Sequence, residues 1–181
     1  MLNKKQYLWM GLLSVLLYAW IIVARGLGLE SVLFCLCSSA LIVIGMVDWL
    51  TYEIPFGCNV FIAVLGGVRL LTDLSNWYTY VIGAFCVSGL LIAVYFITQK
   101  KGIGLGDVKL MAAAGLLLGW PKILAAFLIG SVAGSVIHLS LMKIKNKDRV
   151  LAFGPYLSFG ILCVMLYGER IIDWYLAFCG L

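Results

Sequence analysis

The chain has 181 residues, 64% of them apolar and 12% charged, with 13 Lys and Arg against 8 Asp and Glu. A soluble domain is about 45–50% apolar and about 25% charged, and a chain this small cannot hide so much apolar surface from water. Disorder, a soluble α/β enzyme and a nucleic-acid binder are therefore excluded, and the positive balance reads as the topology charge of a membrane protein.

The apolar segments, in chain order, are Tyr7–Val23, Ser31–Val47, Phe56–Leu71, Trp77–Ile97, Val108–Gly119, Lys122–Met142 and Leu151–Tyr167. A tail, Ile171–Leu181, is too brief to span by itself. Lys4 and Lys5 precede the first segment as in a signal peptide, but the apolar stretch is long and no clean cleavage site follows, so it reads as a retained span. Pro55, Pro121 and Pro155 stand at segment boundaries, where helices tolerate them best. The expected fold is all-α: a polytopic bundle of about six to eight transmembrane helices, forming one membrane-embedded domain over residues 1–181.

Lys and Arg set the orientation. With the N-terminus in the cytoplasm, the inside receives Lys4, Lys5, Lys100, Lys101, Lys109, Lys143, Lys145, Lys147 and Arg149. The outside receives Arg25, Lys122 and Arg170, with Arg69 near an outer helix end. Asp48, closing the second segment, and Asp107, opening the fifth, then arrive at the same, cytoplasmic face.

The fifth segment is too short for a full span and follows Gly102, Gly104 and Gly106. Irregular backbone at membrane depth survives only where protein or a watery cavity satisfies its polar groups. A polar pocket at the membrane edge and an ordinary cytoplasmic turn both remain open. Carboxylates at the ends of apolar helices are costly unless they meet water, a partner or a cavity. Two of them close together share one proton. The ionised one can then take a proton from water while the other donates to a carbonyl oxygen. That chemistry needs no metal and no cofactor. Gly104 and Gly106 would let an extended peptide approach the Asp107 backbone.

The remaining polar residues have plainer readings. Lys109 can snorkel to the interface or lie beside the aspartates. Glu53 reads as a solvated loop acid, and His138 as a hydrogen-bonded packing residue. The six cysteines form no C-x-x-C pair and read as small packing residues. Gly115-x-x-x-Gly119 and Gly130-x-x-x-Gly134 allow close helix packing, either within the chain or in a homodimer.

Three motifs carry a resemblance. Asp48 is followed by Trp49–Glu53 and then Ile54-Pro55; Gly104-Leu105-Gly106-Asp107-Val108-Lys109-Leu110 matches G-x-G-D-x-K-L; and Ala152-Phe153-Gly154-Pro155-Tyr156-Leu157 is similar to P-F-G-P-F-L. In this order they resemble the type IV prepilin peptidases, membrane aspartic proteases of the GxGD class, over about residues 5–167. The resemblance implies cleavage of a basic leader from type IV prepilins or pseudopilins, after a glycine, at the cytoplasmic face of the bacterial plasma membrane. It implies Asp48 and Asp107 as the catalytic pair, with Gly104 and Gly106 shaping the site and Lys109 and Pro55 beside them. Its expected partners are the prepilin substrate and the lipid bilayer, with no nucleic acid. Many members carry an N-terminal region with paired C-x-x-C motifs and also N-methylate the product. This sequence has neither motif and reads as a peptidase-only form, with methylation left to another protein. Ala152 and Tyr156 are mild departures from the family pattern. The rival classes are a small proton-coupled transporter and a non-enzymatic assembly scaffold.

Overall fold

The computed structural model describes residues 4–99, 103–145 and 152–180. These residues form seven α-helices, with no strand among them. They are α1 (Lys4–Arg25), α2 (Leu29–Thr51), α3 (Phe56–Thr72), α4 (Trp77–Ile97), α5 (Leu105–Leu118), α6 (Trp120–Lys145) and α7 (Gly154–Phe178), with a 3-10 turn at Leu74–Asn76. No proline interrupts a helix. Pro55 is the N-cap of α3, and Pro121 and Pro155 sit in the first turns of α6 and α7, where a missing amide costs nothing.

Four stretches are long and apolar enough to cross a membrane: Tyr7–Arg25, Leu29–Thr51, Leu74–Ile97 and Trp120–Ser140. Together they define a multi-pass membrane protein. Large side chains such as Trp9, Leu16, Phe85 and Leu128 point out of the bundle, as expected where the surrounding medium is lipid.

The short α5 is the centre of the bundle, with nine of its fourteen residues buried. It packs on α3 and α4 and reaches α6 and α7. Fourteen residues rise about 21 Å, less than the roughly 30 Å hydrocarbon core. A single residue, Gly119, reverses the chain between α5 and α6 in the left-handed region (φ +84°), where only glycine sits without strain.

Close approach explains the small residues. A Cβ on Gly83 would lie 2.5 Å from the Gly115 carbonyl oxygen and 2.7 Å from the Gly119 carbonyl carbon, so α4 and α5 touch backbone to backbone. Gly130 rests on the Tyr156 and Leu157 backbone of α7, and Gly134 on the Tyr156 ring. The glycines of both G-x-x-x-G pairs thus serve packing within the chain.

Of the boundaries that differ from the sequence reading, three matter most. α2 runs on to Thr51, which places Asp48 inside its last turn. α5 begins at Leu105, with Gly104 as its N-cap. The tail after Ile171 is the end of α7, which continues to Phe178. Glu169, Arg170 and Asp173 lower the hydropathy there, but no proline follows Pro155 to break the helix.

Ion pairs close one end of the bundle. Arg25 meets Glu30 at 3.2 Å and Glu169 at 3.4 Å, Arg69 meets Glu30 at 3.3 Å, and Lys122 meets Glu169 at 3.3 Å. This network ties α1, α2, α3, α6 and α7 together. Glu30 and Asp48 stand eighteen residues apart on α2, about 27 Å along its axis. The aspartates therefore occupy the other end of the bundle.

Candidate active site

Asp48 and Asp107 come from different helices and line one open cavity of about 320 Å³. Both are buried, at 4% and 8% relative exposure. The rest of the wall comes from the connector after α2 (Tyr52, Glu53, Ile54), the first turn of α3 (Phe56, Asn59) and the start of α5 (Gly104, Leu105, Gly106, Lys109).

Local sequence explains each position. Tyr52 donates its amide to the Asp48 carbonyl at 2.8 Å and ends α2 in the left-handed region at φ +58°. That conformation is uncommon for a bulky side chain. It turns the chain sharply, so the residues after Asp48 fold back over the cavity before Pro55 starts α3. Asp107 is the third residue of α5, and its amide donates to the Gly104 carbonyl at 3.2 Å. A carboxylate in the first turn faces the positive end of the helix dipole.

Asp48 has a partner from far along the chain. Its Oδ2 accepts the Gly154 amide at 2.9 Å, from the first residue of α7. A Cβ on Gly154 would lie 2.8 Å from that oxygen and 3.0 Å from Asp48 Cγ. Only glycine lets the start of α7 sit against the carboxylate.

The glycines beside Asp107 also fill internal roles. A Cβ on Gly104 would stand 3.2 Å from Asp107 Oδ2, and one on Gly106 would stand 3.1 Å from Ile54 Cβ. They leave room for the aspartate's own carboxyl and for the connector, in addition to lining the cavity. Gly102 and Lys100, Lys101, Lys147 and Arg149 lie outside the described residues.

The other sequence candidates divide clearly. Lys109 reaches the cavity, with Nζ 5.2 Å from the Phe56 ring centroid, within cation–π range. Glu53 is exposed and lines the mouth. Pro55 acts through the turn it starts and is not on the wall. His138 is half-buried on α6, away from this cavity. Cys37 is fully buried in the core, with Cys35 and Cys58 packed against it.

Two residues escaped the sequence reading. Gly154 lay within a recognised motif, but its role depends on α7 meeting α2. Asn59 is buried at 4% exposure, and its Nδ2 donates to the Gly106 carbonyl at 3.4 Å. Its available signal was an amide side chain in the otherwise apolar start of α3.

Fold and site together define a polytopic membrane protein with a buried aspartate pair opening at one end of its bundle. The model of the type IV leader peptidase family matches residues 35–139, more than half of the chain, and the chain belongs to that family. A prepilin leader peptidase/N-methyltransferase of Aeromonas salmonicida (strain A449) is 32% identical over 174 residues, covering 92% of this chain and 53% of the relative. A protein of the same name from Bacillus subtilis (strain 168) is 31% identical over 170 residues, covering 91% and 67%. One from Legionella pneumophila is 38% identical over 99 residues, covering 53% and 34%. The chain thus spans about half the length of the Aeromonas relative. No solved structure matches it.

Proposed function

We propose that the chain is a membrane aspartic endopeptidase in which Asp48 and Asp107 cut the leader from a type IV prepilin or pseudopilin. The observation that carries this reading is the meeting of two buried carboxylates, from separate helices, in one open cavity. Membership of the type IV leader peptidase family and the prepilin leader peptidases among its relatives support this substrate class. Both aspartates lie at one end of the bundle, which suits a site at a membrane face better than a midplane transport path.

In the proposed reaction the peptide enters beside α5 with its scissile carbonyl between the carboxyls. The ionised aspartate takes a proton from water as the oxygen attacks the carbonyl carbon. The protonated aspartate donates to the carbonyl oxygen. Collapse of the tetrahedral intermediate breaks the C–N bond, and the departing nitrogen takes up a proton. The products are a leader carboxylate and a new amino terminus. The two carboxyls titrate as one unit.

The topology completes the reading. With the N-terminus in the cytoplasm, the cavity opens at the cytoplasmic face of the bacterial plasma membrane, where a basic leader waits among the headgroups. Residues 1–181 work as one membrane-embedded unit.

The test is co-expression with a prepilin from the same source, read as a gel shift, for wild type, Asp48→Asn and Asp107→Asn. Each variant should lose at least about 10²–10⁴-fold in rate, the usual worth of a general acid or base. Cleavage by either variant at the wild-type rate would remove that residue from the mechanism.

A further inference from the structure

Asn59, a residue of the cavity wall, holds a buried hydrogen-bond acceptor that no described residue meets. Its side chain is 4% exposed, lies on the cavity wall and donates through Nδ2 to the Gly106 carbonyl at 3.4 Å. Its Oδ1 is closed to solvent and has no partner among the described residues. The assignment of the two atoms follows from chemistry, since the flipped amide would set two oxygens against each other at Gly106.

Buried acceptors are nearly always satisfied, so an orphan at a site asks what donor is missing. The first turn of α3 supplies none: the amides of Cys58 and Asn59 both turn to the Pro55 carbonyl. The Nδ2 contact with the Gly106 carbonyl favours one orientation of the amide, with Oδ1 turned away from that carbonyl. An acceptor closed to solvent gains more from an arriving donor than a solvated acceptor does. An amide anchored in this way offers the same acceptor as a peptide carbonyl. The complementary donor on an extended peptide is a main-chain N–H, present whatever the side chain. Tyr52 and Phe56 are exposed residues of the same cavity lining.

We propose that Asn59 binds the substrate peptide: Nδ2 fixes the side chain to Gly106, and Oδ1 accepts a main-chain N–H beside the scissile bond. This rests on the peptidase reading above.

The experiment uses the full chain in lipid nanodiscs and a synthetic peptide spanning the leader junction. Analogues of that peptide carry one backbone N-methyl at each of the residues flanking the cut. For wild type, N-methylation at one position should lower kcat/KM about tenfold or more, mainly through KM. Asn59→Leu should cut the unmodified peptide about as slowly as wild type cuts that analogue, and should be indifferent to the methyl group there. Asn59→Thr covers the case in which Leu fails to fold, because a helical Thr can satisfy its hydroxyl on its own backbone. It should show the same indifference. If the Asn59 variants stay as sensitive as wild type at every position, the residue only packs and the proposal is wrong. If wild type cuts neither the peptide nor a whole prepilin, the peptidase reading fails and takes this proposal with it.

Discussion

The Gly154 amide donates to Asp48 Oδ2 at 2.9 Å, across 106 positions of sequence. The start of α7 thereby aims a carboxylate held near the end of α2. A methyl group at residue 154 would sit 2.8 Å from Oδ2, so Gly154→Ala must push the carboxylate or the helix away. A displacement near 1 Å at a reacting group costs about 10²-fold. The expected result is a loss of that order in leader cleavage with the melting temperature in detergent nearly kept. Wild-type rates in Gly154→Ala would show that this contact does not orient Asp48.

Gly104 and Gly106 should be milder. Their Cβ atoms would meet Asp107 Oδ2 at 3.2 Å and Ile54 Cβ at 3.1 Å, so neighbours need to yield only a few tenths of an ångström. Gly104→Ala should slow cleavage more than Gly106→Ala, because its neighbour is the proposed catalytic oxygen. Overpacking at Gly106 should instead cost about 1–3 kcal/mol of stability. Thermal melts beside gel-shift rates separate the two effects.

The charge network at the far end offers a stability test detached from the chemistry. Glu30 bridges Arg25 and Arg69 and is 30% exposed, whereas Glu169 is 69% exposed. Glu30→Gln leaves two half-buried guanidiniums short of a partner and should cost about 1–2 kcal/mol, between exposed and buried pairs. Glu169→Gln should cost under about 1 kcal/mol and lose even that in high salt. Both should cleave normally, since Glu30 is about 27 Å along α2 from Asp48.

Asp73 gives a pH dependence outside the spans. The Tyr80 hydroxyl donates to its Oδ2 at 2.8 Å, Asn76 Nδ2 also donates to it, and Arg69 lies nearby; together these hold its carboxyl below the usual carboxylate range. A depressed folded pKa stabilises the protein above the unfolded value, about 3.9. That contribution is lost as pH falls through the folded value. Tyr80→Phe removes the largest cause and should lower the melting temperature at neutral pH. Its deficit relative to wild type should shrink below about pH 4. A deficit that stays constant down to the lowest pH would mean that Tyr80 acts only through packing.

Much of this protein could be read along the chain. Hydropathy marks the membrane class, and α4 has the bounds that its apolar run predicts. Asp48 and Asp107 fall at one end of the bundle because successive helices alternate direction, a matter of counting crossings. Even the role of the G-x-x-x-G pairs was half visible, as close packing without a named neighbour. What the chain alone left open is lateral. That Gly83 meets Gly115, that α7 runs on through Glu169 and Arg170, that Gly154 caps Asp48 and that Asn59 reaches Gly106 depend on which helices are neighbours. In lipid no hydrophobic periodicity marks those neighbours, because the outer faces are as apolar as the core. Backbone contact at small residues and a few polar bonds choose them, and such contacts exist only after helices distant in sequence have packed.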